Sequence, residues 1–171
     1  MVLPAVIVDF PAAAAASAAA AQEEAGDMKT NQFLEQLHDD QIVAAIHAAE
    51  KKTSGEIRVY ISHRKIDDAL AAAAAQFQKL GMTKTKYRNA VLIFVAPRSH
   101  QFAIVGDEAV HRHCGDAFWQ SVAAETSGHF KNSEFTQGII QAVRKAGELL
   151  AAHFPPQADS GNELPDKVEH D

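Results

Sequence analysis

The side chains best suited to chemistry lie in three short stretches, around residues 56, 88 and 107. Glu56, Asp107, Glu108 and the Asn89 amide oxygen are hard oxygen donors of the type that calcium or magnesium takes. Lys84, Lys86 and Arg88 are cations able to hold a phosphate beside such a metal, an arrangement that phosphoryl chemistry would use. The expected metal ligands are therefore Glu56, Asn89, Asp107 and Glu108, for Ca or Mg, with Lys86 and Arg88 as ligand-binding cations. A structural reading stands beside this one. Glu56 and Arg88 can form an ion pair across strand ends, Asn89 can cap a turn, and Gly106-Asp107 can turn a strand into a helix.

A second group runs through Asp107, His111, His113, Cys114 and Asp116. His, Cys and Asp at this density suit a transition metal. However, His111 and His113 are two apart and share no helical face, and no second Cys or His pair completes a zinc pattern. The expectation is a small buried Cys114 with its histidines on a surface loop. No nucleophile-elbow, phosphate-loop, dinucleotide or zinc-protease motif occurs, so no catalytic residue is assigned.

These groups are brought together by the elements that carry them. An apolar stripe of Ile42, Val43, Ile46 and Ala49 predicts a helix from Asp39 or Asp40 to Lys52, stopped by a left-handed Gly55. Glu56–Ser62 alternates, with Ile57, Val59 and Ile61 on one face, and predicts a half-buried strand. Asp67 or Asp68 caps a second helix, Ala69 to Leu80. Ala90–Ala96 is apolar throughout and predicts a central strand buried on both faces. A turn at Pro97–His100 returns the chain as a strand, Gln101–Val105. A third helix spans about Asp116–Thr126. The fourth begins at Ser133 and Glu134, with a reciprocal cap through Gln137, and runs to about His153. The order α-β-α-β-β-α-α predicts a three-layer α/β/α sandwich on a small mixed sheet. Its first two strands are parallel because a helix joins them, and the third is antiparallel to the second. Glu56, Arg88, Asn89, Asp107 and Glu108 then meet at one sheet edge. Ser62, His63, Arg64, Arg98 and His100 collect at the opposite edge, where open α/β sheets more usually bind ligands.

The 171 residues suggest one domain, and one cysteine excludes an internal disulfide. Net charge is −6, without the basic stripe of a nucleic-acid binder. Much of the acidity lies in the tails, where residues 1–27 have no Lys or Arg and residues 155–171 have only Lys167. Residues 1–27 read as an Ala-rich disordered extension or a misassigned start, with Met28 opening the domain. The alternative is a degenerate export signal, against which stand Asp9, Pro11 and the missing positive n-region. No unbroken apolar segment is long enough to span a membrane. Residues 28–155 form the expected domain, and residues 156–171 read as a disordered acidic tail.

Five motifs occur in the order of a known family: Thr53-Ser54-Gly55-Glu56-Ile57, Leu80-Gly81-Met82, Arg88-Asn89-Ala90-Val91-Leu92-Ile93, Val105-Gly106-Asp107-Glu108, and Phe130 through Phe135 to Gly138-Ile139-Ile140. Over residues 29–155 the chain resembles the TPM domain, as a short, unanchored bacterial-type member. The resemblance implies kinship with a thylakoid-lumen protein of photosystem repair, with bacterial anchored or secreted proteins and with an animal receptor modulator. Some plant members are described as calcium-binding acid phosphatases. The expectation is a cytoplasmic accessory or binding module that takes a divalent cation, exported instead if residues 1–27 act as a signal. A metal-dependent acid-phosphatase-like hydrolase and a metal-free protein-interaction scaffold using the turn Pro97–Gln101 are the alternatives.

Overall fold

The computed structural model of the protein describes the backbone of residues 5–9 and residues 31–158 and 161–171 in full. Met28 and most of the Ala-rich extension lie outside the described residues. The elements are β1 (Ala5–Asp9), α1 (Asp39–Glu50), β2 (Glu56–Ile61), α2 (Ala69–Lys79), β3 (Ala90–Ala96), β4 (Gln101–Gly106), α3 (Glu108–Lys131), α4 (Phe135–His153) and β5 (Val168–His170). Residues 31–36 are also helical and seat Phe33 against Phe130 and Phe135.

The sheet order is β1-β4-β3-β2-β5. β2 and β3 are parallel, with Glu56 opposite Ala90, and β3 and β4 are antiparallel, with Val91 opposite Gly106. One face carries Ile57, Val59, Ile61, Val91 and Ile93 against α1, α3 and α4. The other carries Leu92, Phe94, Ala103 and Val105 against Ala69, Ala73 and Phe77 of α2. The two apolar clusters make the fold the expected three-layer α/β/α sandwich. β3 is buried at every position, so its uniform apolar run has a direct physical cause.

Several local expectations are corrected. β2 is buried along its whole length rather than on one face. Residues 156–171 do not stay apart from the domain, because Val168–His170 form β5, parallel to β2. Ala5–Asp9 add a strand antiparallel to β4. α3 starts eight residues earlier than expected and is kinked at Gly115, whose φ of 65° favours glycine. His111, His113 and Cys114 therefore lie on a helical segment, not a loop. Glu134 makes no side-chain cap; its carboxylate accepts from His129 instead, at 2.8 Å. Gly55 does not take a left-handed turn. A Cβ there would stand 2.9 Å from Leu150 and 3.0 Å from the Asn89 carbonyl, so close approach is what calls for glycine.

Gly147 shows the same constraint between helices. A Cβ at this position would lie 2.6 Å from the Cβ of Ala49, so α4 packs against α1 through a missing side chain. Overpacking costs about 1–3 kcal/mol, more than the ~1 kcal/mol of helix propensity that alanine adds. Gly147→Ala should lower stability by about 1 kcal/mol, read as a lower urea midpoint at unchanged slope.

Candidate functional site

The expected sheet edge forms, and its side chains divide into two neighbouring groups. Arg88 and Asn89 precede β3, and Asp107 follows β4 as the N-cap of α3, its carboxylate accepting from the Glu108 N–H at 2.7 Å. Arg88 sits at φ 51° and donates Nε and Nη2 to the two Asp107 oxygens, both at 2.8 Å. The Asp107 side chain is fully buried, whereas that of Arg88 is 39% exposed. These hydrogen bonds push the Arg88 pKa up. Glu108 turns outward to Arg112, one helical turn on. Asn89 is fully buried; its Nδ2 donates to Ser54 Oγ at 3.3 Å, and its Oδ1 has no partner among the described residues.

Glu56 does not pair with Arg88, which corrects the structural expectation. Its two oxygens accept the backbone N–H groups of Glu163 and Leu164, at 2.9 and 3.2 Å. It shares a pocket with Glu50, Asp166, Asn162 and His47, about 150 Å³ in volume. That is room for an ion and its water but small for an organic substrate, whose pockets run to roughly 300 Å³ or more.

Crowded carboxylates in this pocket are shifted by their surroundings. Burial pushes the Glu50 carboxyl up to about 9, with Glu56 and Asp166 adding to it and a hydrogen bond from the Ile57 N–H opposing it. Burial also pushes Glu56 up, against the two N–H bonds. Asp166 is lowered, because hydrogen bonds from Glu50, His47 and Asn162 outweigh its burial. Near neutral pH Glu50 therefore holds a proton and donates it to an ionised Asp166, which also meets His47 Nδ1 at 2.9 Å. A proton stands between two carboxylates where a cation would otherwise compensate their charge.

The expected ligand set does not fit one metal as it stands. Arg88 already neutralises Asp107, Glu108 faces Arg112, and only Glu56 enters the carboxylate pocket. Glu50, Asp166 and Asn162 complete the pocket and were not singled out in the sequence. A signal for Glu50 existed, since a carboxylate in the last turn of α1 opposes the helix dipole. The donor chemistry of Glu50, Glu56 and Asp166 suits a hard cation. Among the described residues, though, no three His, Cys, Asp or Glu side chains stand together as a finished metal site. The ligand-binding pair is also separated in role. Arg88 braces Asp107, while Lys86 is exposed and its backbone N–H donates to the Glu163 carboxylate.

The second group offers less. His113 stacks on His153, with centroids 4.7 Å apart, and packs edge-on against Phe154. Cys114 is half-buried, and burial pushes its thiol pKa up, so thiolate chemistry is disfavoured.

Among the described residues, no helix is long and apolar enough to cross a membrane. A search of curated proteins gives no match. Among solved structures, the NMR structure of BA42 protein from the psychrophilic bacterium Bizionia argentinensis is similar. It has 38% identity and a TM-score of 0.72, over 78% of this chain and 92% of that one. The model of the TPM domain matches residues 28–149, and the chain belongs to the TPM domain family.

Proposed function

We propose that this chain is a non-catalytic TPM-domain binding module, and that the ligand its carboxylate pocket takes is a divalent cation of the calcium or magnesium type. The observation that carries the reading is the convergence of Glu50, Glu56 and Asp166, from α1, β2 and the C-terminal segment, on one small pocket where Glu50 keeps its proton near neutral pH. A cation entering there displaces that proton, so affinity rises with pH. The small pocket volume and the absence of a nucleophile constellation from the sequence favour binding over turnover.

The test is thermal unfolding of the full chain in EDTA, then in millimolar Ca²⁺, Mg²⁺ or Mn²⁺. A cation at a hundred times its Kd adds about 2.7 kcal/mol, several degrees for a domain of this size. The shift should be larger at pH 8 than at pH 6 and vanish in Glu50→Gln and Asp166→Asn. If Asp107→Asn removes it and Glu50→Gln does not, the ion sits at the Asn89, Asp107 and Glu108 group instead. Metal-dependent hydrolysis of a phosphate ester would replace the binding reading with the hydrolase. No shift with any of these cations would sink the cation reading and leave the interaction scaffold.

A further inference from the structure

The segment after α4 is held on the sheet as a bound peptide would be. Pro155 and Pro156 separate it from α4, and it lies beyond the residues that match the family model. Its strand β5 pairs in parallel with the second half of β2, with Val59 opposite Val168 and Ile61 opposite His170, and at the start of β2 the Glu163 and Leu164 N–H groups donate to the Glu56 side chain. Without it β2 would be the edge strand of the sheet, since β5 has no other neighbour in the strand order.

What β2 presents along that edge is specific. Arg58 is a buried cation in the middle of the strand, 2% exposed, and its Nη2 is paired with Glu169 while its Nε has no partner among the described residues. At the far end, Ser62 Oγ and the His63 N–H both donate to the Asp171 carboxylate, at 2.7 and 2.6 Å. Apolar contact is slight: Leu164 and Val168 are only partly buried against the two cores. Carboxylates two residues apart thus meet an arginine of β2 and a pair of donors just past its end, while backbone pairing sets the direction. Strand addition with alternate side chains in fixed positions is a known mode of peptide capture. A long-stemmed arginine buried on a strand is costly to keep unless a carboxylate meets it.

We propose that the edge of β2 is a docking groove for an extended acidic peptide of a partner protein. The peptide enters parallel to β2, with an apolar residue, an acidic residue next to it and a second acidic residue two positions further on. Residues 161–171 fill the groove in cis, and a partner peptide competes with them. The inference rests on the Arg58 edge and does not need a cation, but because Asn162 and Asp166 of the same segment line the carboxylate pocket, a peptide that displaces the segment also opens that pocket.

The test uses the full chain carrying E169Q and D171N, which loosens the intramolecular strand, and a labelled peptide of residues 161–171 followed by fluorescence anisotropy. The peptide should bind this variant at least tenfold more tightly than the wild type, whose groove is filled. A peptide with lysine in place of both acidic residues should lose at least tenfold, a comparison that leaves the protein unchanged. Adding R58Q to the variant should cost a similar factor, provided that unfolding remains cooperative. Amide exchange along β2 reports whether the groove is open. Open β2 amides without peptide binding would overturn the proposal. So would β2 amides as protected in the variant as in the wild type, since the two carboxylates would then not be what holds the strand. Dimerisation of the wild type that E169Q and D171N abolish would assign the groove to a second copy of this chain instead.

Discussion

Arg88→Ala should destabilise the protein by about 3 kcal/mol, more than Asp107→Asn does. The reason is the uneven burial of the pair. Asp107 has no exposed side chain, and Arg88 is 39% exposed. Removing the arginine strands a carboxylate inside the protein with, among the described residues, the Glu108 N–H alone left to it, and breaking a buried pair from one side costs about 3–5 kcal/mol. The remaining N–H bond and the solvent at the mouth of the pair hold the figure at the lower end. Asp107→Asn keeps an oxygen for the helix cap and releases Arg88 toward water, so about 1–2 kcal/mol is expected from the lost charge-assisted bonds. Urea unfolding of both variants measures the difference. Near-equal costs, or a greater cost for Asp107→Asn, would mean that the pair is not the structural brace described here. Stability of both variants within ~0.5 kcal/mol of wild type would return Asp107 to the list of ligand candidates.

The contrast between Asp107 and Glu50 shows what was legible in the sequence. β3 could be read directly, because an apolar run bounded by Asn89 and Pro97 has few other solutions. The parallel pairing of β2 with β3 followed from the helix between them, and it placed Glu56, Asn89 and Asp107 at one edge. Which carboxylate faces which partner was not legible. Arg88 and Glu56 looked like natural partners, yet the left-handed turn at Arg88 sends its guanidinium to Asp107. The C-terminal segment was misread for a different reason. Local composition describes a solvated acidic tail, but its charges are met by residues about a hundred or more positions away: Asp166 by His47, Glu169 by Arg58, and His170 by Asp39. That error also concealed the full burial of β2, because Arg58 and Ser62 look like an exposed face unless something covers them. Asp166 was missed with it, since nothing marks it until the tail closes the pocket, and Glu50 offered only its place against the dipole of α1.

That pocket should make the protein less stable as pH rises through the neutral range. Glu50 and Glu56 both have folded-state pKa values above their ordinary ones, with Glu50 at about 9. Between pH ~4.5 and 9 the folded state binds more protons than the unfolded chain, so stability falls with pH. The contribution of these groups is complete below pH ~4.5 and is gone once pH passes the folded value. One such proton sets a limit of about 1.4 kcal/mol per pH unit. The real slope is smaller, because Glu50 is only partly buried and water screens the shift. Asp166 has the opposite sign: its lowered pKa stabilises above the ordinary carboxylate range and that contribution is lost as pH falls through the folded value. Stability is thus expected to be greatest in mild acid and to decline by several kcal/mol toward pH 9. Glu50→Gln, which fixes the neutral form, should flatten the decline and raise Tm at pH 8 by several degrees, while changing little at pH 5. Unfolding curves for wild type and Glu50→Gln at pH 5, 6.5, 8 and 9 decide the point. A flat wild-type profile, or an equal fall in the variant, would show that Glu50 is not held neutral by burial among its carboxylate neighbours, and the cation reading would lose its physical basis. A decline that saturating Ca²⁺ or Mg²⁺ removes would join the two results. The same carboxylates that repel one another when the proton leaves would then be the ones that take the ion.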